Sequence, residues 1–382
     1  MRSRTTLIIT GVAARRLAVG ILVLSSLTAS CHGEDVDAGA DADADADTDV
    51  NADAGLDGAP DAESDQDAEA DADLGGMHFV VVTFNTGTSE GMAHDAPPDD
   101  GYTSAHAALS DEYYGDGLAW IPAIDAVEAF FEAVDPDIVA FQEVFYSEEC
   151  ATIPQDAWTD FVCERWTAGD PTVAQQVLGE GFQVMCMPDH PDKCAAVNRR
   201  FGSFRGCDSD FCLEGLDGFR VETCGSGARV GRGVIDLVEG GTLTLVDYHG
   251  SSGLTEEDQA CRVRQVEQVF VDLGDGEPGA NGERNLVMGD LNTDPCRLAS
   301  VDPSAARWTD FVGDGLDFHF ITDCGPRVEE TYAALFNIDH VMSDAARGTC
   351  WAAGVTDGHP AVIDAIYFDH HPIVCDVWLP EE

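Results

Sequence analysis

The sequence predicts an α/β domain of roughly 300 residues, and three observations carry that expectation. Short apolar, β-branched runs recur along the chain: VVVTF (80–84), IVAF (138–141), TLTLV (242–246), NLVM (285–288) and PIVCDV (372–377). Between them, Ile121–Asp135 and Glu256–Gly274 carry apolar residues at helical spacing. One pattern continues from residue 76 to residue 382, with no internal repeat and no second linker.

The residues before that domain read differently. Arg2, Arg4, Arg15 and Arg16 lead into an apolar stretch, Leu17–Leu27, then small residues and Cys31. This is the layout of an export signal, assigned to 1–31. Its apolar core is too short to favour a spanning helix. LTASC (27–31) resembles the lipobox of bacterial lipoproteins, which implies lipidation at Cys31; Thr28 departs from the usual leucine, and simple secretion is the alternative. Residues 32–75 repeat Asp and Ala with little to bury, so a disordered, extended linker is expected there. An EF-hand is not expected, since the carboxylates lack that loop's glycine and glutamate positions.

The chain has 72 acidic residues against 19 Lys and Arg, for a net charge of −53. Glu34–Asp73 contributes seventeen acids and no base, so most of the negative charge belongs to the domain itself. Such a surface repels polyanions at low ionic strength and disfavours binding nucleic acid by global charge. Lys193 is the only lysine.

Of 13 cysteines, Cys31 belongs to the leader, which leaves twelve. An even number in an exported chain reads as disulfides, whose pairing the spacing leaves open. Seven fall between Cys150 and Cys224, in what reads as a cysteine-rich insert near 150–228. No CxxC pair is present to suggest structural zinc.

The elements follow in order. MHFVVVTFNTG opens the domain as a strand. Ile121–Asp135 is a helix that the Asp135-Pro136 pair ends. DIVAFQEVF is a buried strand, and Thr242–Gly250 alternates as another. Glu256–Gly274 is an amphipathic helix with glycine as its stop. NLVMGD, IDHVMS and HPIVCDVWL are three more strands.

Polar residues gather at the ends of these strands: Asn85, Glu143, His249, Asp290 with Asn292, Asp339, and Asp369 with His370. Any one could be a turn former or a cap. Together they line the place where layered α/β folds bind ligands. Oxygen donors from Glu143, Asp369, Asn85 and Asp290 suit Mg²⁺. A histidine beside an aspartate is fixed in orientation and stabilised when charged. No GxSxG elbow and no P-loop is present, which favours direct attack by water on a phosphoester over a covalent intermediate.

The ordered set TFNTG, FQEV, DYHG, GDLN, IDHV and DHHP resembles the endonuclease/exonuclease/phosphatase superfamily, from about Met77 to about Leu379. The resemblance is poorest between Cys150 and Arg229. It implies a four-layer α/β sandwich, two packed mixed β-sheets flanked by helices. It also implies Glu143, Asp369 and Asn85 at a Mg²⁺ ion, with Mn²⁺ or Ca²⁺ as alternatives. Asp290 and Asn292 would align or deprotonate water, His370 paired with Asp339 would serve the scissile phosphate, and His249 would hold the second-histidine position. Phe368 and Tyr248 depart from the serine and threonine common in that family. His371 falls at the variable position and is expected to be structural. Arg229 and Arg232 are open between a phosphate contact and surface solvation.

The function expected is that of a metal-dependent phosphoesterase of the cell envelope, attached through a lipid anchor if Cys31 is lipidated, otherwise secreted. Its substrate would be nucleic acid or a phospholipid headgroup, and no protein partner is implied. A catalytically silent binding lipoprotein is the alternative of another class.

Overall fold

Side-chain alternation along the strands gives each sheet two buried faces with different partners. This is seen in a computed structural model that describes residues 76–382 apart from 89–93, 96–100, 226, 326–329, 333–335, 357, 363–366 and 381–382. The expected export signal with Cys31, and the acidic linker of 32–75, lie outside the described residues.

The strands in chain order are β1 (Gly76–Asn85), β2 (Ile138–Gln142), β3 (Phe182–Met187), β4 (His190–Asn198), β5 (Gly202–Phe204), β6 (Phe211–Cys212) and β7 (Asp217–Gly218). They continue as β8 (Val230–Leu237), β9 (Thr242–His249), β10 (Asn285–Asp290), β11 (His319–Phe320), β12 (Asp339–Ser343), β13 (Arg347–Ala352) and β14 (Ile373–Pro380). One seven-stranded sheet runs β13-β14-β1-β2-β4-β3-β6; the other runs β11-β12-β10-β9-β8-β5, with β7 beside β8. Both are mixed: β1 runs parallel to β2 and antiparallel to β14, and β10 parallel to β9 and antiparallel to β12. The helices are α1 (Ser104–Leu109), α2 (Ile121–Val134), α3 (Val173–Leu178), α4 (Glu256–Phe270), α5 (Pro295–Leu298) and α6 (Pro303–Thr309).

Three buried layers correspond to the two-residue period. Phe79 and Val81 of β1, Leu243 and Leu245 of β9, and Leu286 and Met288 of β10 pack together between the sheets. The opposite parity of the first sheet, Val82, Phe84, Val139 and Phe141, packs with Ile124, Val127, Phe130 and Phe131 of α2 and Val173 and Val177 of α3. The opposite parity of the second, Val246, Tyr248 and Val287, packs with Val266 and Val269 of α4 and Trp308 of α6. The order is helix, sheet, sheet, helix: the four-layer sandwich expected from the sequence.

Helix ends follow local chemistry. Pro122 sits in the first turn of α2, and Asp135 ends it in the left-handed region at φ 51°. Thr255 and Asp258 cap α4 reciprocally. The expected end of α4 at Gly274 is four residues too late, because Asp272 Oδ1 accepts from the Gly274 and Gly276 amides, both at 2.8 Å. That turn competes with a further helical turn.

Residues 150–228 supply β3, β4 and β6 to the first sheet and β5 and β7 to the second. The twelve cysteines pair as Cys150–Cys163, Cys186–Cys194, Cys207–Cys212, Cys224–Cys261, Cys296–Cys324 and Cys350–Cys375.

Candidate active site

Strand parity decides which polar side chains meet. Asn85 shares the inter-sheet parity of Phe79 and Val81, His249 that of Leu243 and Leu245, Asp290 that of Met288, and Asp339 that of Val341. Register then aligns them. Asp290 stands opposite His249 on β9 and opposite Asp339 on β12, and Asn85 stands opposite Gln142. Glu143 follows β2 with φ 61°, a left-handed conformation uncommon outside glycine. Its Oε1 lies 3.4 Å from His249 Nε2.

Gly87 joins this side of the site. Its amide donates to Asn85 Oδ1 (3.0 Å), and its carbonyl accepts from the Asp369 amide (3.4 Å). A Cβ there would stand 2.1 Å from Glu143 Oε2, so no larger residue leaves Glu143 in place.

Asp290 is the hub of the other side. Its Oδ2 accepts from Asn85 Nδ2 (3.0 Å) and Asn292 Nδ2 (2.8 Å), and its Oδ1 from the Asn292 amide (2.7 Å). Asn292 Nδ2 also lies 3.0 Å from the Gly250 carbonyl. His370 Nδ1 is 2.8 Å from Asp339 Oδ2, which leaves Nε2 at 3.9 Å from both Asp290 Oδ2 and Asp369 Oδ1. Thr331 Oγ1 accepts from the Ile338 and Asp339 amides and so fixes the approach to Asp339. The Tyr332 ring lies 4.7 Å from the imidazole of His370.

The electrostatics are those of acids crowded out of water. Burial raises Asp290, against the pull of His370, and Asp339 adds to the rise. Burial likewise lifts Asp369 to about 7. Glu143 keeps 34% of its side chain exposed, yet its carboxylate is ringed by protein, and burial raises it against the opposing charge of Lys193. For His370, burial disfavours the charge, but Asp339, Asp290 and Asp369 outweigh it and lift the imidazole to about 10. His249 goes the other way: burial, then Lys193 and Arg229, push it well below its usual value. The two imidazoles are thus driven in opposite directions, His370 toward its charged form and His249 toward its neutral one.

The residues present fit a divalent cation. Carboxylate oxygens crowd this end of the sheets: those of Asp290 and Asp339 lie within 4.8 Å of each other and of a His370 nitrogen, which Asp339 already engages. Buried Asp339 Oδ1 and Asp369 Oδ1 have no hydrogen-bond partner among the described residues. Hard anionic oxygens so placed are what Mg²⁺-like ions take. Glu143, Asp369 and Asn85 are drawn together through Gly87, and the Glu143 charge acts on Asp369.

All eight side chains expected at the site are therefore brought to one end of the two sheets. His371 points away: its Nδ1 is 3.2 Å from the Ala353 carbonyl, and its amide donates to the Thr331 carbonyl at 2.8 Å. The two arginines separate. Arg232 is clamped by Asp217 (3.1 Å), Asp275 (2.7 Å) and the Pro278 carbonyl (3.2 Å). Arg229 stays beside His249, whose amide donates to its carbonyl (2.9 Å), and its Nε is buried without a partner among the described residues.

Sequence reasoning missed several contributors. Asp247 is fully buried between the sheets and accepts from Gln142 Nε2 at 2.8 Å. The alternation of TLTLVDYH placed it with Leu243, Leu245 and His249, so its signal was present. Thr331 and Tyr332 carried no comparable signal, Gly87 stood only as the last residue of TFNTG, and Lys193 only as the one lysine.

No family model matches the chain, and no curated protein matches it significantly. Among solved structures, similarity extends to truncated TDP2 of Caenorhabditis elegans, with 15% identity, a TM-score of 0.42, and coverage of 80% of this chain and 100% of that one. An endonuclease/exonuclease/phosphatase from Beutenbergia cavernae matches at 16% identity and TM-score 0.44, over 79% of this chain and 72% of that one. The catalytic domain of APE2 from Xenopus laevis matches at 13% and 0.44, over 79% and 92%.

Proposed function

We propose that the protein is a divalent-metal-dependent phosphoesterase that hydrolyses a phosphodiester by direct attack of water. The observation that carries this reading is the His370–Asp339 pair at 2.8 Å, with Nε2 turned toward Asp290 and Asp369 among buried carboxylates. An imidazolium is a hydrogen-bond donor and not a metal ligand. That leaves Glu143, Asp369 and Asn85 as the residues to hold Mg²⁺ or Mn²⁺. The bound ion would supply Lewis-acid stabilisation of phosphoryl charge.

The chain's own groups account for the rest. Asp290, raised by burial, accepts a proton from the attacking water, and Asn292 and Asn85 hold its carboxylate in place. His370 donates from Nε2 to a phosphoryl oxygen, with Asp339 fixing the ring and offsetting its charge. His249, pushed toward the neutral form, is suited to the leaving oxygen, and Arg229, whose charge acts on it and whose Nε is buried without a partner among the described residues, to a phosphoryl oxygen. Substrate enters from outside the cell in this reading, with the enzyme held at the envelope through Cys31 or secreted.

Extracellular nucleic acid is the leading substrate class, the divalent ion bridging substrate to an acidic enzyme. A phospholipid headgroup is the second, favoured by Leu254 and Val301, 67% and 72% exposed near the loop that follows His249. Arg262 holds them in one region, donating to the Gly253 carbonyl and to Asp302. The test is hydrolysis of bis-p-nitrophenyl phosphate, then of DNA, RNA and sphingomyelin, with Mg²⁺ or Mn²⁺. Turnover should vanish with chelator, and Glu143→Ala and His370→Ala should fold normally while losing about 10²–10⁴-fold in kcat. No turnover of any of these substrates would overturn the reading in favour of a non-catalytic binding protein.

A further inference from the structure

Arg262 is the one charged side chain that α4 buries, and its partners belong to the loops that follow β9 and β10. Its Nε donates to Ser304 Oγ (2.9 Å), its Nη1 to the Ser251 and Gly253 carbonyls (both 2.8 Å), and its Nη2 to Asp302 Oδ2 (3.1 Å). Gln265, one turn on, accepts from the Ser251 amide and donates to Ser251 Oγ, both at 2.9 Å. The loop after β9 is thus held at Ser251 and Gly253. Asp302 Oδ2 also accepts from Thr293 Oγ1 (2.8 Å), which ties the same guanidinium to the residue after Asn292.

These two loops meet at the site. Asn292 Nδ2 donates to the Gly250 carbonyl (3.0 Å) and to Asp290 Oδ2 (2.8 Å). The Gly250 amide donates to the Asp290 carbonyl (2.9 Å), and a Cβ on Gly250 would stand 2.4 Å from the Leu291 carbonyl oxygen. Asn292 sits at φ 49°, a backbone conformation that persists only where its surroundings hold it. His249 is fixed separately, by its pairing opposite Asp290 and by the bond from its amide to the Arg229 carbonyl (2.9 Å).

We infer that Arg262 is a positioning residue for hydrolysis: it pins the loop beside Gly250 and, through Asp302, Thr293, so that the Asn292 amide keeps the Asp290 carboxylate aimed at the attacking water. The inference rests on the phosphoesterase reading and deepens it. Arg262 is wholly buried and acts through Asn292. A buried ion pair is commonly no more stabilising than apolar residues of similar volume, so what the guanidinium supplies is direction. Its rigid fork of five N–H donors reaches four acceptors in two loops at once, whereas lysine offers three donors from a single nitrogen.

The experiment is turnover of bis-p-nitrophenyl phosphate with Mn²⁺ by the full chain, in wild-type and Asn292→Ala backgrounds. In the first, Arg262→Met should lower kcat about 10²-fold with KM little changed. In the second it should add no further loss, since Asn292 carries the effect. Arg262→Lys, which keeps the charge but not the fork, should recover little. In the metal-free protein, the side-chain amide NMR signal of Asn292, assigned by its loss in Asn292→Ala, should shift in Arg262→Met. If Arg262→Met does not fold by circular dichroism, Thr293→Val, which breaks only the link to Asp302, should show the same dependence on Asn292 with about a tenfold loss. Unchanged kcat in the folded variants, a loss equally large in Asn292→Ala, or an unmoved Asn292 signal would overturn the inference. A wild type that turns over none of the substrates named above would instead remove the phosphoesterase reading itself, and the inference with it.

Discussion

Two adjacent histidines meet opposite surroundings at the head of β14. His370 faces three carboxylates that favour its charged form; His371 bonds a backbone carbonyl, and burial lowers it. The charge of His370 depends on Asp339 above all other side chains. A raised histidine contributes stability that is fully present below its unfolded value near 6.5 and lost as pH rises through about 10. Asp339→Asn should therefore lower the NMR titration midpoint of His370 and reduce kcat about 10²–10⁴-fold; an unchanged midpoint would contradict the pairing. Asp247 has the reverse economy. Burial lifts its carboxyl to about 8, and its Oδ2 is buried without a partner among the described residues. An acid so raised is protonated in the fold over a range where the unfolded chain ionises it, so its contribution declines as pH rises from about 4 to about 8. Asp247→Asn should stabilise the protein at pH 8 by about 1–3 kcal/mol and by much less at pH 4, measured by chemical denaturation. At this scale the polar residues at strand ends were legible because each interrupts an apolar run. Lys193 was not, since a lone cation in a polar hairpin looks the same in sequence whether it ends buried or solvated.

Strands place the site more than helices do. β10 is central: its register with β9 and β12 puts His249, Asp290 and Asp339 in one row. Gly289 permits that row, because it sits at φ 145° with a would-be Cβ 1.8 Å from the Tyr248 carbonyl oxygen. Gly289→Ala should force β9 and β10 apart, costing about 3 kcal/mol or more by denaturant unfolding. Wild-type stability would show that the contact has no such role. The long strands and α2 could be read from periodicity, since each buries a regular face. Short elements such as β5, β6, β7, β11 and α3 could not, because two to six residues carry too little period to separate from loop. Residues 150–228 read as an insert for that reason, with cysteine and glycine masking the apolar alternation of β3 and β4. Asp272 illustrates the remaining kind of miss, a side-chain turn that ends α4 while the apolar pattern runs on to Leu273.

Across the whole molecule, net charge of −53 sets how a charged substrate arrives. Repulsion between like-charged partners weakens as salt shortens the screening length from about 30 Å at 0.01 M to about 8 Å at 0.15 M. In the proposed nucleic-acid reading, cleavage of DNA at fixed divalent-ion concentration should therefore rise over that range, opposite to the behaviour of a basic nuclease. A steady fall would point to a cationic docking surface that the described residues do not show. Six disulfides crosslink the domain in the export reading. Side chains from β1, β9, β10, β12, the residue after β2 and the head of β14 converge on one place, where Glu143, Asp369 and Asn85 are proposed to hold a catalytic cation. Anomalous diffraction from crystals grown with Mn²⁺ tests it most directly. A single strong peak is expected about 2.1 Å from a Glu143 carboxylate oxygen, with Asp369 or Asn85 completing its protein ligands. A Mn²⁺-saturated crystal with no peak there, or with the ion bound only elsewhere on the acidic surface, would contradict it.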